Sequence, residues 1–168
     1  MNRNSSVLKL SLAGIFIALG VVCSAFSIPV GASRCFPVQH MVNVIAGVLL
    51  GPWYACAMAF VTSLIRVLLG TGTLLAFPGS MVGALVFGLV YRAAKNIPAA
   101  CIGEMIGTGI LGGMLAYPVA TLLLGKEAAL FTYVLPFLVS TVGGSIIAAV
   151  VLFCLNRAGV LGRMQEKL

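Results

Sequence analysis

The chain has 168 residues, of which 61% are hydrophobic and only 8% are charged, and its mean hydropathy is +1.18. A soluble domain carries about 25% charged residues because its surface faces water, so this composition excludes both a soluble globular domain and a disordered chain. The ten basic residues form no run that could follow a phosphate backbone, which disfavours nucleic-acid binding. A transmembrane helix needs about 20 residues, so the chain can hold six spans with tight loops.

The apolar segments and their breaks predict an all-α membrane protein, with one integral membrane domain over residues 1–168. Six helices are expected, at residues 7–28, 38–50, 53–69, 79–95, 99–124 and 129–156. Segments 38–50 and 53–69 are short for full spans. They could be thin spans or a re-entrant hairpin buried in protein, and both alternatives return the chain to the same side.

The basic residues predict the orientation in the membrane, because cytoplasmic loops carry the excess of Lys and Arg. One side collects Arg3, Lys9, Arg92, Lys95, Arg157, Arg163 and Lys167, and the other has Arg34, Lys126 and Arg66. We therefore expect both termini in the cytoplasm and the loops at 29–37, 70–78 and 125–128 outside. Cys35 lies in the first of these loops and is expected to react with an impermeant thiol reagent.

Polar side chains concentrate in the outer half of the predicted bundle. His40 and Asn43 share a helix face, Gln39 lies beside them, and Ser63 and Arg66 share a face of the next segment. Polar groups in a membrane are costly unless they pair or line a cavity, so the set favours a ligand pocket. The alternative is that His40 and Asn43 satisfy loop carbonyls while Arg66 extends to the headgroups.

Two titratable residues, His40 and Glu104, lie within the predicted membrane segments. His40 is expected to act as a neutral hydrogen-bond donor and acceptor near Arg34 or Arg66. Glu104 is the one carboxylate that could lie deep in the membrane, since the chain has three Glu and no Asp. Its position about one turn inside segment 99–124 is explained most simply by the stabilisation of a carboxylate near a helix N-terminus.

The residue set argues against an enzyme. A Ser/His/Asp arrangement is impossible without Asp, and the sequence contains no GxSxG, HExxH, P-loop or paired acidic motif. We expect no catalytic residue, no metal site and no cofactor. The one enzymatic alternative is an intramembrane reaction that uses His40 and Arg66.

Four sequence runs carry a resemblance to a known family. They are Arg34-Cys35-x-Pro37-x-Gln39-His40-x-x-Asn43-Val44, Leu50-Gly51-Pro52-x-Tyr54, Ser63-x-x-Arg66-x-x-x-Gly70-x-Gly72 and Ala76-Phe77-Pro78-Gly79-Ser80-Met81-x-Gly83-Ala84. These runs resemble the ThiW family, whose members are substrate-binding S components of energy-coupling factor (ECF) transporters linked to uptake of the thiamine precursor hydroxyethylthiazole. The resemblance implies a six-helix S-component bundle in a bacterial plasma membrane, without its own ATPase activity.

The resemblance also implies a pocket that opens to the outside and is roofed by the loop between the first two helices. The candidate substrate-binding residues are Arg34, Gln39, His40, Asn43, Ser63, Arg66, Phe77, Ser80, Met81, Tyr117 and Tyr133. An S component for another small heterocyclic vitamin precursor remains the alternative.

S components dock through small residues of their first helix onto a shared membrane coupling subunit that is energised by two ATPase subunits. An Ala-x-x-x-Ala pattern is typical of that surface, and here Gly14-x-x-x-Ala18, flanked by Ala13, occupies the place. The resemblance implies that these three residues contact the coupling subunit. Ordinary small-residue packing within the protein is the alternative.

Overall fold

The computed structural model describes residues 3–31 and 33–168 of the chain. Within them the helices are α1 (Arg3–Val22), α2 (Pro37–Leu50), α3 (Pro52–Leu68), α4 (Ala76–Ala94), α5 (Ile97–Leu123), α6 (Val134–Arg157) and α7 (Val160–Lys167). A single 3₁₀ turn, Cys23–Ala25, continues α1. Four of these helices, α1, α4, α5 and α6, are long and apolar enough to cross a membrane, whereas α2 and α3 are shorter apolar helices.

A two-stranded hairpin interrupts the helices between α1 and α2. Strands β1 (Ile28–Val30) and β2 (Ser33–Cys35) pair antiparallel, with Ile28 opposite Cys35. The expectation of an entirely helical chain did not include this hairpin, because two strands of three residues are too short to produce a recognisable period in the sequence. Gly31 turns the chain at a positive φ of 55°.

Helix α2 lies at the centre of the bundle, and 11 of its 14 residues are buried. It packs against α6, α4, α3 and α1. A helix of this length rises about 21 Å, which is less than the roughly 30 Å hydrocarbon thickness. Because its neighbours surround it, α2 can place polar residues of its first turn inside protein rather than against lipid.

Gly144 of α6 sets how closely the first turn of α2 approaches. A Cβ at this position would lie 2.5 Å from the Pro37 carbonyl oxygen and 2.6 Å from His40 Cβ. At the adjacent Gly143 a Cβ would lie 3.6 Å from Pro37 Cβ, which is an ordinary van der Waals distance. Of these two glycines, only Gly144 is therefore required for the close contact between the helices.

This difference gives a matched pair of variants. Gly144→Ala should lower the free energy of unfolding by about 1–3 kcal/mol, because the added methyl group overlaps backbone that cannot move freely. Gly143→Ala should be neutral or stabilising by up to about 1 kcal/mol, because alanine is the better helix former. Thermal unfolding in detergent measures both, and equal melting temperatures for the two variants would contradict the packing described here.

Candidate functional site

A cavity of about 370 Å³ lies where the hairpin, the loop between α3 and α4 and the loop between α5 and α6 converge. It is lined by Ser33, Arg34, Phe36, Gln39, His40, Arg66, Gly70, Thr71, Gly72, Thr73, Leu75, Ala76, Gly79, Ser80, Thr108, Lys126 and Phe137. These three loops are the ones that the distribution of basic residues predicts to face outward. The polar floor of the cavity consists of two hydrogen-bond networks that begin at adjacent residues of α2.

The first network starts at Gln39 and joins α2 to α3 and α4. Arg66 Nη1 donates to Gln39 Oε1, and Gln39 Nε2 donates to Ser63 Oγ at 3.5 Å. Ser63 Oγ lies 2.9 Å from Ser80 Oγ, which itself donates to the Ala76 carbonyl at 2.7 Å. Because the Ser80 hydroxyl proton is donated to that carbonyl, Ser63 must donate to Ser80. Every hydrogen bond of this network is therefore donated in the direction away from Arg66.

The second network starts at His40 and joins α2 to α5 and α6. His40 Nδ1 lies 2.9 Å from Glu104 Oε1, and Thr108 Oγ1 donates to the same oxygen at 3.0 Å. Ser145 Oγ donates to Glu104 Oε2 at 3.3 Å. Glu104 has no exposed surface, so these contacts replace the hydration that its carboxylate loses on burial.

Gly83 of α4 leaves room for this carboxylate. A Cβ on Gly83 would overlap Thr108 Oγ1 and would lie 3.1 Å from Glu104 Oε1. Immediately after Glu104, α5 becomes π-helical over Met105–Gly112. Such wider turns are frequent at functional sites, and this one contains Thr108, which borders the cavity.

Phe36 and Cys35 fasten the hairpin to α6. The backbone N–H of Phe36 donates to Ser140 Oγ at 2.7 Å, and Cys35 Sγ donates to the Pro136 carbonyl at 3.0 Å. The Phe36 ring covers the guanidinium of Arg66, with Arg66 Cζ 3.9 Å from the ring centroid. The hairpin therefore forms part of the cavity wall.

Cys35 is buried, which corrects the expectation that it is accessible in a polar loop. Its exposed fraction is 0%, because β2 lies against the start of α6. Burial also raises the pKa of the Cys35 thiol, against the lowering effect of a backbone hydrogen bond at Ser140. The burial of Cys35 and the raised pKa of its thiol both reduce its reactivity, since the thiolate is the nucleophile.

The residues predicted from sequence occupy three kinds of position. Those that line the cavity are Arg34, Gln39, His40, Arg66 and Ser80. Ser63 and Asn43 lie behind this lining, and Asn43 Nδ2 donates to the Ser80 carbonyl at 3.3 Å. The others lie outside the lining: Phe77 packs on Phe60, Met81 packs against the main core, Tyr133 is buried in a second apolar cluster, and Tyr117 is half-buried.

Two expectations about charged partners were wrong. His40 contacts Glu104 rather than Arg34 or Arg66, and Arg66 contacts Gln39. Glu104 is not explained by a helix N-terminus, since α5 begins two turns earlier at Ile97 and the carboxylate accepts three side-chain hydrogen bonds. The rule that an intramembrane carboxylate marks a functional site would have identified Glu104 from the sequence.

Further lining residues were not anticipated, namely Phe36, Thr71, Thr108, Lys126 and Phe137. Thr108 follows Glu104 by four residues, so the sequence could have indicated that the two side chains lie on the same helix face. The aromatic and loop residues gave no comparable signal, because their place in the wall depends on how the loops fold.

The three candidate docking residues of α1, Ala13, Gly14 and Ala18, differ in their exposure. Gly14 and Ala18 are exposed, and no atom from another element of the described chain lies within 4 Å of where a Gly14 Cβ would be. Ala13 is buried and belongs to the main hydrophobic core. Gly14 and Ala18 thus form an unoccupied, flat strip on the outside of the bundle.

A family model described as thiamine-precursor transporter protein (ThiW) matches residues 10–158. The chain belongs to the ThiW family. The crystal structure of the S-component for biotin from an ECF-type ABC transporter is similar, with a TM-score of 0.66, 19% sequence identity and coverage of 94% of each chain. At this identity the likeness shows the fold alone. No curated protein matches the chain.

Membership of the ThiW family makes this chain a membrane transport protein rather than an enzyme, and its fold is that of the biotin S-component. The alternative of an intramembrane reaction at His40 and Arg66 is thereby set aside. His40 and Arg66 lie instead in the wall of a cavity with the dimensions of a small-molecule site.

The buried thiol predicts slow labelling in the native ThiW protein. We expect a cysteine-free protein that carries only Cys35 to react with a charged thiol reagent roughly tenfold or more slowly than one that carries only Arg34→Cys, because Cys35 must first be exposed by local opening. The rate for Cys35 should rise with pH and should approach the control rate after denaturation. Comparable native rates, followed by mass spectrometry, would contradict the burial of Cys35.

Proposed function

We propose that this ThiW protein is the substrate-capture component of an ECF-type importer and binds hydroxyethylthiazole from outside. The observation that carries the proposal is the cavity beneath the hairpin, whose floor holds the Gln39 and His40 networks. The family description supplies the substrate class, a thiamine precursor. Size, hydrogen bonding and charge each support this assignment.

The size of the cavity suits a small heterocycle. Its volume of about 370 Å³ lies near the lower end of the roughly 300–1,000 Å³ typical of small-molecule sites. Hydroxyethylthiazole has about nine heavy atoms, and with a limit near −1.5 kcal/mol per atom, tight binding requires nearly every contact to be favourable. The rings of Phe36 and Phe137 supply apolar wall.

The hydrogen-bonding groups of the ligand match those of the floor. Its ring nitrogen accepts a hydrogen bond, and its hydroxyl group both donates and accepts. Because His40 Nδ1 faces Glu104, Nε2 is the ring nitrogen of His40 that is left for a ligand. With the proton on Nδ1, Nε2 accepts, so it can receive the ligand hydroxyl.

The charge of the lining distinguishes a precursor from thiamine itself. Arg34, Arg66 and Lys126 border the cavity. The thiazolium of thiamine carries a fixed positive charge and would be repelled by these side chains, whereas the uncharged thiazole would not. Another small heterocyclic precursor without positive charge remains the second candidate, and competition between ligands discriminates the two.

We further propose that both termini are cytoplasmic and that the cavity opens to the outside of a bacterial plasma membrane. Gly14 and Ala18 would contact the transmembrane coupling subunit, with two ATPase subunits behind it, because their flat strip permits close approach of another helix. Ala13, which is buried, would support this strip from within.

The binding site is tested by calorimetry on the purified protein. His40→Ala should weaken the affinity for hydroxyethylthiazole about five- to hundred-fold, because one buried hydrogen bond of about 1–3 kcal/mol is lost. Met81→Leu changes a residue of α4 that lies outside the cavity lining, and this variant should bind like wild type. Wild-type affinity in a folded His40→Ala protein would remove His40 from the site.

The docking strip is tested separately from binding. Gly14→Leu combined with Ala18→Leu should abolish uptake in cells that contain the coupling and ATPase subunits, since added bulk prevents helix contact. Binding by the isolated protein should stay unchanged, because both positions face away from the bundle. Ala57→Leu adds bulk at another exposed position, on α3, and should transport normally. Persistent uptake by the double variant would place docking elsewhere.

A further inference from the structure

The cavity has an excess of positive charge. Three basic side chains, those of Arg34, Arg66 and Lys126, line it, and no acidic side chain among the described residues does. Arg34 and Lys126 are exposed at the mouth and can be solvated by water. Arg66 differs from them, because its exposed fraction is 0%.

Among the residues that the structure describes, the side chain of Arg66 contacts uncharged groups. Nη1 donates to the carboxamide oxygen of Gln39, and Nη2 donates to the Thr71 carbonyl at 3.4 Å. The ring of Phe36 covers its face. Nε has no hydrogen-bond partner in the part of the chain that the structure describes.

The chain offers no carboxylate for Arg66. Glu104 accepts its hydrogen bonds from His40, Thr108 and Ser145, and among residues 3–31 and 33–168 no carboxylate lies within 4.0 Å of the Arg66 guanidinium. Glu127 and Glu166 are exposed. A buried cation without an opposite charge is expensive, and the cost falls when an anion pairs with it.

We propose that the cavity takes its thiazole in an anionic form, with an oxyanion that pairs with Arg66, in preference to the neutral alcohol. This inference rests on the proposed function and narrows its substrate class. The shared chemistry is a small oxyanion on the heterocycle, supplied either by a ring carboxylate or by a phosphate ester of the hydroxyl group. Guanidinium is suited to both, since its planar donors match carboxylate and phosphate oxygens.

The geometry assigns different tasks to the two sides of the cavity. Arg66 lies on α3 with Phe36 over it, whereas His40 lies on α2 with Glu104 behind it. Arg34 and Lys126 at the mouth would attract an anion from solution and contribute chiefly to the association rate. Arg66 would determine how tightly the anion is held.

The test is calorimetry with three probes, namely hydroxyethylthiazole, its phosphate monoester and the corresponding thiazole carboxylate. At least one acid should bind wild-type protein about tenfold or more tightly than the alcohol, and only the acids should lose affinity as salt is raised. The acid that binds more tightly identifies whether the oxyanion is a carboxylate or a phosphate ester. An alcohol that binds as tightly as both acids would overturn the inference.

Variants connect the preference to Arg66. Arg66→Met should abolish the preference for the acid, Arg66→Lys should retain part of it, and Arg92→Met, a basic residue on the far end of α4, should leave it unchanged. A preference that survives in a folded Arg66→Met protein would also overturn the inference. If Arg66→Met does not fold, the wild-type preference and the Arg66→Lys affinities decide. Failure of all three thiazoles to bind would contradict the proposed function instead.

Discussion

The arrangement of the site depends on the hydrogen bonds that the buried carboxylate of Glu104 accepts. It accepts hydrogen bonds from His40 on α2, Thr108 on its own helix and Ser145 on α6. A carboxylate without these donors would be too costly in the apolar interior of a membrane bundle. The requirement to satisfy it therefore fixes the first turn of α2 against α5 and α6.

The rest of the cavity follows from the position of that turn. Gln39 is the neighbour of His40, so the turn that presents the imidazole to Glu104 also presents a carboxamide to Arg66 and Ser63. Cys35 and Phe36, just before the start of α2, attach the hairpin to α6. Residues 35–40 thus contribute to both the floor and the wall of the cavity, and long-range contacts hold them in place.

Much of the helical framework was predictable, because apolar length and Gly/Pro breaks are local properties of the sequence. The polar cluster around Gln39, His40 and Arg66 was predictable for the same reason, since polar residues in apolar segments are conspicuous. The hydrogen-bond partners of these polar side chains were not predictable, because the contact between His40 and Glu104 joins residues 64 positions apart. The hairpin and the burial of Cys35 depend on packing against α6, which no local period encodes.

His40 is the chain's single histidine, so its ring nitrogens give an NMR spectrum without overlap. We expect ¹⁵N-histidine spectra of the wild-type protein to show a proton on Nδ1, where the ring meets Glu104, and none on Nε2. Addition of hydroxyethylthiazole or its acid forms should shift the Nε2 resonance and leave Nδ1 protonated, because the ligand meets the ring from the cavity. If saturating ligand leaves Nε2 unchanged, or if the proton resides on Nε2 in the free protein, the account of this site is contradicted.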